Sequence, residues 1–106
     1  MAWVFLLAAG LFEIGWPLGL KLSQTTPHRI AWVIFATVAM TASGVFLWLA
    51  QKSIPMGTAY AVWTGIGAVG AFVAGIVLLK DPATFFRIFS VTLIVVGIVG
   101  LKLSHQ

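Results

Sequence analysis

Long apolar segments alternate with short polar stretches along the whole chain. The apolar segments cover about residues 3–22, 30–50, 58–79 and 84–103, and polar or helix-breaking residues fill the gaps between them. An α-helix needs about 20 apolar residues to cross the hydrocarbon core of a bilayer. The pattern therefore predicts four short membrane-spanning helices joined by tight loops, in a single all-α domain.

The composition narrows the class of protein further. The chain has 106 residues, of which 61% are hydrophobic and 8% are charged, and its mean hydropathy is +1.12. A small soluble domain still exposes much of its surface, so it could not hide this much apolar area. We therefore expect an integral membrane protein whose first partner is the lipid bilayer. A cleaved signal peptide is not expected, because the first apolar segment contains Glu13 and follows no basic leader.

The net charge of +4 comes from cations scattered at the ends of the segments. Because they form no run or stripe, nucleic-acid binding is rejected. Four spans place Lys52 and Lys102 on one side of the membrane. The cations on the other side are Lys21, Arg29, Lys80 and Arg87. The positive-inside rule gives only a weak preference for outside termini, so a nearly balanced chain can insert in both orientations.

Few residues offer catalytic or metal chemistry. The chain has no Cys, and its two His residues, His28 and His105, lie in a loop and at the C-terminal end without acidic neighbours. A metal site is therefore not expected. The sequence contains no Ser-His-Asp set, phosphate-binding loop or paired carboxylates, so we expect neither an enzyme nor a cofactor.

One acidic residue, Glu13, lies in the middle of an apolar segment. A carboxylate at bilayer depth costs about 2.5 kcal/mol or more unless it is paired, so it marks a functional site by default. Gly10, one turn earlier, leaves space beside it for a neighbouring helix or a ligand, and Trp16, one turn later, can donate its indole N–H. Pro17 removes the helical hydrogen bond to the Glu13 carbonyl and tends to kink the helix.

Other segments contribute weaker candidates. Ser43 lies midway along the second segment, where a hydroxyl more often bonds its own helix, so structural and site roles both stay open. Tyr60, Trp63 and Gly67 share a face of the third helix. Tyr60 alone is typical of an interfacial residue, and Trp63, one turn deeper, is the stronger site candidate. Gly65 and Gly67 in mid-helix predict a flexing point, with close packing as the alternative.

The fourth segment carries a signal for self-association. One four-helix chain is too thin to surround an aqueous path and also shield Glu13 from lipid. Ser90 and Gly97 are seven residues apart and share one helix face. Small residues let helices approach closely in membranes, although glycine is also simply common there. We therefore predict that a second copy packs against this face.

Two stretches resemble the small multidrug resistance family, and the resemblance covers essentially the whole chain. The first helix of the family is similar to Gly10-Leu11-Phe12-Glu13-Ile14-Gly15-Trp16, and its third-helix signature closely matches residues 55–67, PMGTAYAVWTGIG. The combination of Trp16, Met40 and Ser43 around Glu13 resembles the guanidinium exporter subtype. Pro17 departs from that subtype's pattern.

The resemblance implies an antiparallel homodimer of dual-topology chains in the bacterial inner membrane, exporting guanidinium in exchange for protons. Glu13 of both copies would bind the cation and the proton in turn. The residues implied to orient Glu13 or line the pocket are Trp16, Ser43, Tyr60 and Trp63. Ser90 and Gly97 would lie in the dimer seam.

Two alternatives remain open from the sequence. The first is a promiscuous multidrug exporter of quaternary ammonium compounds, which a growth assay with guanidinium against hydrophobic dyes would separate. The second is a non-transporting assembly subunit in which Glu13 pairs with a Lys or Arg of a different chain. That subunit would carry no proton flux when purified alone.

Overall fold

A computed structural model describes residues 1–104. It contains four α-helices in chain order, namely α1 Ala2–Thr25, α2 Arg29–Ala50, α3 Met56–Leu79 and α4 Phe85–Ser104. Each is long and apolar enough to cross a membrane. The expected all-α, four-helix architecture is confirmed. His105, one of the two histidines considered as metal ligands, lies outside the described residues.

Local signals in the sequence end the helices. The Thr26 hydroxyl donates to the carbonyl oxygen of Leu22 at 2.8 Å and so closes α1. Pro55 immediately precedes α3, a position where its missing N–H costs nothing. At the other end of α3, Lys80 takes a left-handed conformation with φ 59° and ψ 36°. A left-handed residue at this point is a common way to satisfy the last carbonyls of a helix.

α1 is the central helix of the chain and packs closely against both α2 and α3. Glycines make these contacts close. A Cβ on Gly19 would lie 2.8 Å from a ring carbon of Phe35 in α2. A Cβ on Gly70 of α3 would collide with Ile14. Because lipid gives helices no hydrophobic reason to associate, such small residues supply the van der Waals packing instead.

The most deeply buried apolar cluster lies at one end of this three-helix unit. It joins the start of α1 to the end of α2 and the start of α3 through Leu6, Ala50, Ile54, Ala59 and Val62. With a rise of about 1.5 Å per residue, Glu13 follows Leu6 by roughly 10 Å along α1. The cluster therefore fixes the helices on one side of Glu13.

α4 is attached much more loosely. It packs on α3, where Ile98 and Ile94 cover Gly65, but none of the residues 85–104 is buried. The described chain measures 47 × 34 × 16 Å along its principal axes. A thickness of 16 Å corresponds to two layers of helices at the usual spacing of about 8–10 Å. One chain therefore has no interior wide enough for an enclosed aqueous path.

Candidate functional site

Glu13 is partly buried midway along α1 and is held by a neighbouring indole. Trp16 Nε1 donates to Glu13 Oε1 at 2.7 Å, the contact that the three-residue spacing predicts. Among residues 1–104, the other carboxylate oxygen, Oε2, receives no hydrogen bond. One oxygen is thus fixed by the protein while the other remains available to a ligand.

Ser43 connects Glu13 to α2. Its side chain is fully buried, at 0% exposure, and its Oγ lies 2.8 Å from the carbonyl oxygen of Ala9 and 3.3 Å from Glu13 Oε1. A hydroxyl has one proton, so it donates to only one of these acceptors at a time. The shorter distance assigns the proton to Ala9. Ser43 therefore bonds α1 instead of its own helix.

α3 completes the network through Trp63. Trp63 Nε1 donates to Ser43 Oγ at 2.7 Å, so a chain of polar contacts runs from α3 through α2 to Glu13. The ring of Tyr60 packs against that of Trp63, with centroids 5.4 Å apart. Tyr60 is 57% exposed. The structure thus brings Trp16, Ser43 and Trp63 together at Glu13, with Tyr60 one residue layer outside them.

Two glycines allow close approach of α1 and α3 near the site, because neither has a side chain in the way. A Cβ on Gly67 would lie 2.5 Å from Glu13 Cγ, so α3 approaches the acidic side chain directly. A Cβ on Gly10 would lie 2.6 Å from Ile66 Cγ2, so the space beside Gly10 holds α3 and not a ligand. α3 is one helix through Gly65 and Gly67. Flexing there stays a prediction, and the observed role of both residues is packing.

Some predicted residues do not reach Glu13 within one chain. Ser90 and Gly97 lie on the exposed α4, where the Ser90 hydroxyl donates to the Phe86 carbonyl oxygen at 2.8 Å. No atom would lie within 4 Å of a Cβ on Gly97. Their role in a dimer seam stays a prediction. Within residues 1–104, no three His, Asp or Glu side chains come together as a metal site would require.

Sequence reasoning missed two parts of this site. The carbonyl oxygen of Ala9 is the nearest acceptor for Ser43, but a backbone atom leaves no mark in a side-chain pattern. The sequence predicts a hinge or close packing at Gly67 but does not identify Glu13 as its contact. Small residues one turn apart on α3 were the available signal for a close helix approach.

Comparison with known proteins identifies the family. A family model described as Small Multidrug Resistance protein matches residues 1–94. The chain belongs to the small multidrug resistance family. This confirms the resemblance seen in the motifs of α1 and α3. A member of this family with four spanning helices is a multi-pass membrane protein.

Curated relatives match over nearly the full length. A protein of Yersinia pseudotuberculosis serotype I is 54% identical over 98% of this chain and 99% of its own length. A protein of Escherichia coli K12 is 50% identical over 98% of both chains, and one of Salmonella typhimurium LT2 is also 50% identical with the same coverage. All three carry the name Guanidinium exporter, which describes transporters and not enzymes.

Proposed function

We propose that this protein is a proton-coupled antiporter of the bacterial inner membrane that exports guanidinium and small guanidino cations. Protons and the cation compete for Glu13 of two subunits, which associate as an antiparallel homodimer. The names of the full-length relatives support the substrate class. The coupling and the role of each residue rest on the physical arguments below.

The observation that carries the proposal is the asymmetric environment of Glu13. Trp16 holds Oε1 at 2.7 Å, whereas Oε2 accepts nothing from residues 1–104. An intramembrane carboxylate with an open oxygen needs a partner, because an unpaired charge in low dielectric is strongly disfavoured. A proton or a small cation can each supply what is missing. The site is therefore suited to exchange one for the other.

Mutual exclusion follows from doubling the site. In a dimer, two ionised Glu13 side chains would repel each other, and burial would penalise each charge further. A bound cation or bound protons each relieve this penalty, and a protonated carboxyl no longer offers the negative charge and open acceptor that the cation needs. Binding of one therefore releases the other. An inward proton gradient can then drive the cation outward.

Guanidinium fits the site for geometric reasons. Its planar fork of N–H groups forms paired hydrogen bonds with carboxylate oxygens, which a compact ammonium cannot do as well. The Trp63 indole N–H is already used on Ser43, which leaves the ring face to attract a cation. Trp16 would keep the carboxylate in a fixed orientation while its ligand changes, and Ser43, 3.3 Å from Oε1, would support that orientation when its hydroxyl turns from Ala9 to Glu13.

Self-assembly is needed for the mechanism to work. The described chain is two helix layers thick and leaves the whole of α4 without a buried residue. A second copy packed on α4 would thicken the unit and bring two Glu13 side chains to a common cavity. The near balance of cations on the two sides favours opposite orientations of the two copies.

Currents from purified protein on a solid-supported membrane test the proposal directly. Guanidinium addition should give a saturating current and release protons from the protein. The half-saturating guanidinium concentration should fall as the pH rises, because protons are the competitor. Tetrapropylammonium serves as the comparison cation for the multidrug alternative. A current that does not depend on pH, or no proton release on guanidinium addition, would refute proton-coupled export.

A further inference from the structure

A cavity lies away from Glu13, between the C-terminal halves of α1 and α3. Its volume is about 310 Å³, well above the share of about 30 Å³ that one water occupies in the liquid. Six of the residues around it are Pro17, Lys21, Ala71, Ala74, Gly75 and Asp81. The remaining lining residues, Leu18 and Leu79, are apolar, and both charged residues lie at the end near the α3–α4 loop.

Asp81 is held in place at this cavity by the backbone. The left-handed Lys80 turns the chain at the end of α3, and the Asp81 N–H donates to the carbonyl oxygen of Gly75 at 3.0 Å. Its carboxylate then lies directly over Gly75, where a Cβ would collide with Oδ2. The absence of a side chain at Gly75 is what makes room for the carboxylate. Asp81 is therefore positioned before any ligand arrives.

The Asp81 carboxylate has no bonding partner of its own. Within residues 1–104, no donor group bonds it and no cationic nitrogen lies within 4.0 Å of its oxygens. Lys21 lines the same cavity without forming an ion pair. The cavity therefore has one anionic group, Asp81, that is open to a ligand. Lys21 can weaken the binding of a cation there by repulsion, but it does not occupy the carboxylate.

The cavity lies along the same contact between α1 and α3 as Glu13, a contact called here the α1–α3 seam. Gly67 faces Glu13, Gly70 faces Ile14 at the next step, and the cavity begins at Pro17. Glu13 and Lys21 are eight residues apart on α1, which corresponds to roughly 12 Å at a rise of 1.5 Å per residue. Ile14, which fills the space at Gly70, lies between Glu13 and the cavity along this contact.

We propose that Asp81 and this cavity form an outer binding site for guanidinium-type cations at the membrane edge. The identity of the cation rests on the proposed function, whereas the existence of the site does not. A small planar cation can bond the fixed carboxylate and place its faces against Ala71 and Ala74. Lys21 keeps residence short through repulsion, so the site concentrates the cation near the seam without trapping it.

The chain offers a separate reporter for each site, because Glu13 is its only Glu and Asp81 its only Asp. Protein labelled with carboxyl ¹³C on Asp gives one Asp side-chain NMR signal. Titration with guanidinium chloride should shift that signal to saturation, and sodium chloride at equal ionic strength should not. The shift should persist in Glu13→Gln protein. A non-saturating shift, or the same shift with sodium, would overturn the outer site.

Two variants test whether guanidinium affinity depends on the geometry of this cavity. Gly75→Ala should displace the carboxylate and weaken guanidinium binding about tenfold, because the added Cβ would collide with Asp81 Oδ2. Gly57→Ala is its control on the same helix, because nothing lies within 4 Å of a Cβ there. Lys21→Gln should tighten binding about threefold by removing a like charge. Unchanged affinity in Lys21→Gln protein would contradict the assignment even if Gly75→Ala protein did not fold.

Labelling Glu instead of Asp separates the two proposals. If the Glu13 signal ignores guanidinium while the Asp81 signal responds, the proposed function fails and the outer site stands. If only the Glu13 signal responds, the outer site is wrong and export through Glu13 is unaffected. In currents, Asp81→Asn should raise the half-saturating guanidinium concentration about threefold to tenfold, more than it lowers the plateau. A loss of plateau alone would indicate a structural role.

Discussion

The contact between α1 and α3 around Glu13 is well packed within one chain, whereas the fourth helix is largely exposed. In the seam, glycines let the helices approach closely, Ser43 is fully buried, and three helices share one polar network. On α4, Phe86 is 82% exposed and Val96 is 61% exposed. The seam has its contacts within one chain, whereas α4 offers a surface that needs lipid or another copy. We infer that one region holds the ligand and the other assembles the protein.

The largest effect should come from removing the acid of the seam. Glu13→Gln keeps the shape of the side chain and its bond from Trp16, but it removes the charge that both proton and cation require. Guanidinium-evoked current and proton release should disappear completely. The measurement is the current from purified protein, with Asp81→Asn as the comparison for loss of the other acid. Retained proton-driven guanidinium transport by Glu13→Gln would sink the role of the seam.

Breaking the α4 surface should nearly abolish transport without disturbing the seam. Gly97→Leu adds a side chain where a single chain has open space, so the fold of the monomer should survive. Close approach of a second copy would be blocked, because small residues are what permit tight helix contacts in membranes. Size-exclusion chromatography with light scattering should show monomers, and guanidinium current should fall about tenfold or more.

The matched control is Val95→Leu, which enlarges a side chain on the opposite face of α4. Val95 is 41% exposed in the chain. The oligomeric state and guanidinium current of Val95→Leu protein should remain those of the unaltered protein. Equal losses of current from Gly97→Leu and Val95→Leu would show that α4 tolerates no added bulk on either face. The assignment of Ser90 and Gly97 to the dimer seam would then be wrong.

Gly67→Ala separates packing from flexing in α3. A Cβ would lie 2.5 Å from Glu13 Cγ, so the carboxylate must shift. If an overpacking cost of about 1–3 kcal/mol falls on the bound state, guanidinium binding weakens about fivefold to a hundredfold, at 1.4 kcal/mol per factor of ten. Calorimetry in detergent measures this affinity. If Gly67 instead acts as a hinge, binding should be unchanged and only the transport rate should fall. Gly57→Ala should change neither.

The sequence predicted features that depend on local spacing and missed those that depend on docking. Four apolar segments were sufficient for the four helices, and three-residue spacing was sufficient for the bond from Trp16 to Glu13. The bond from Ser43 to Ala9 depends on how α2 is rotated against α1, which no pattern within either segment encodes. Gly67 was ambiguous for the same reason, since a missing side chain does not reveal its neighbour.

The smallest expected effect concerns the outer end of the polar network. Trp63→Phe keeps an aromatic ring beside Tyr60 but removes the N–H that donates to Ser43 at 2.7 Å. A net loss of about 1 kcal/mol for one hydrogen bond should raise the half-saturating guanidinium concentration roughly fivefold. Trp48→Phe is the control, because Trp48 is 63% exposed and far less enclosed.

Trp63→Phe should add little when Ser43→Ala is already present, because Ser43→Ala removes the acceptor of the Trp63 N–H. Fully additive effects would mean that Trp63 acts on the cation directly through its ring and not through Ser43.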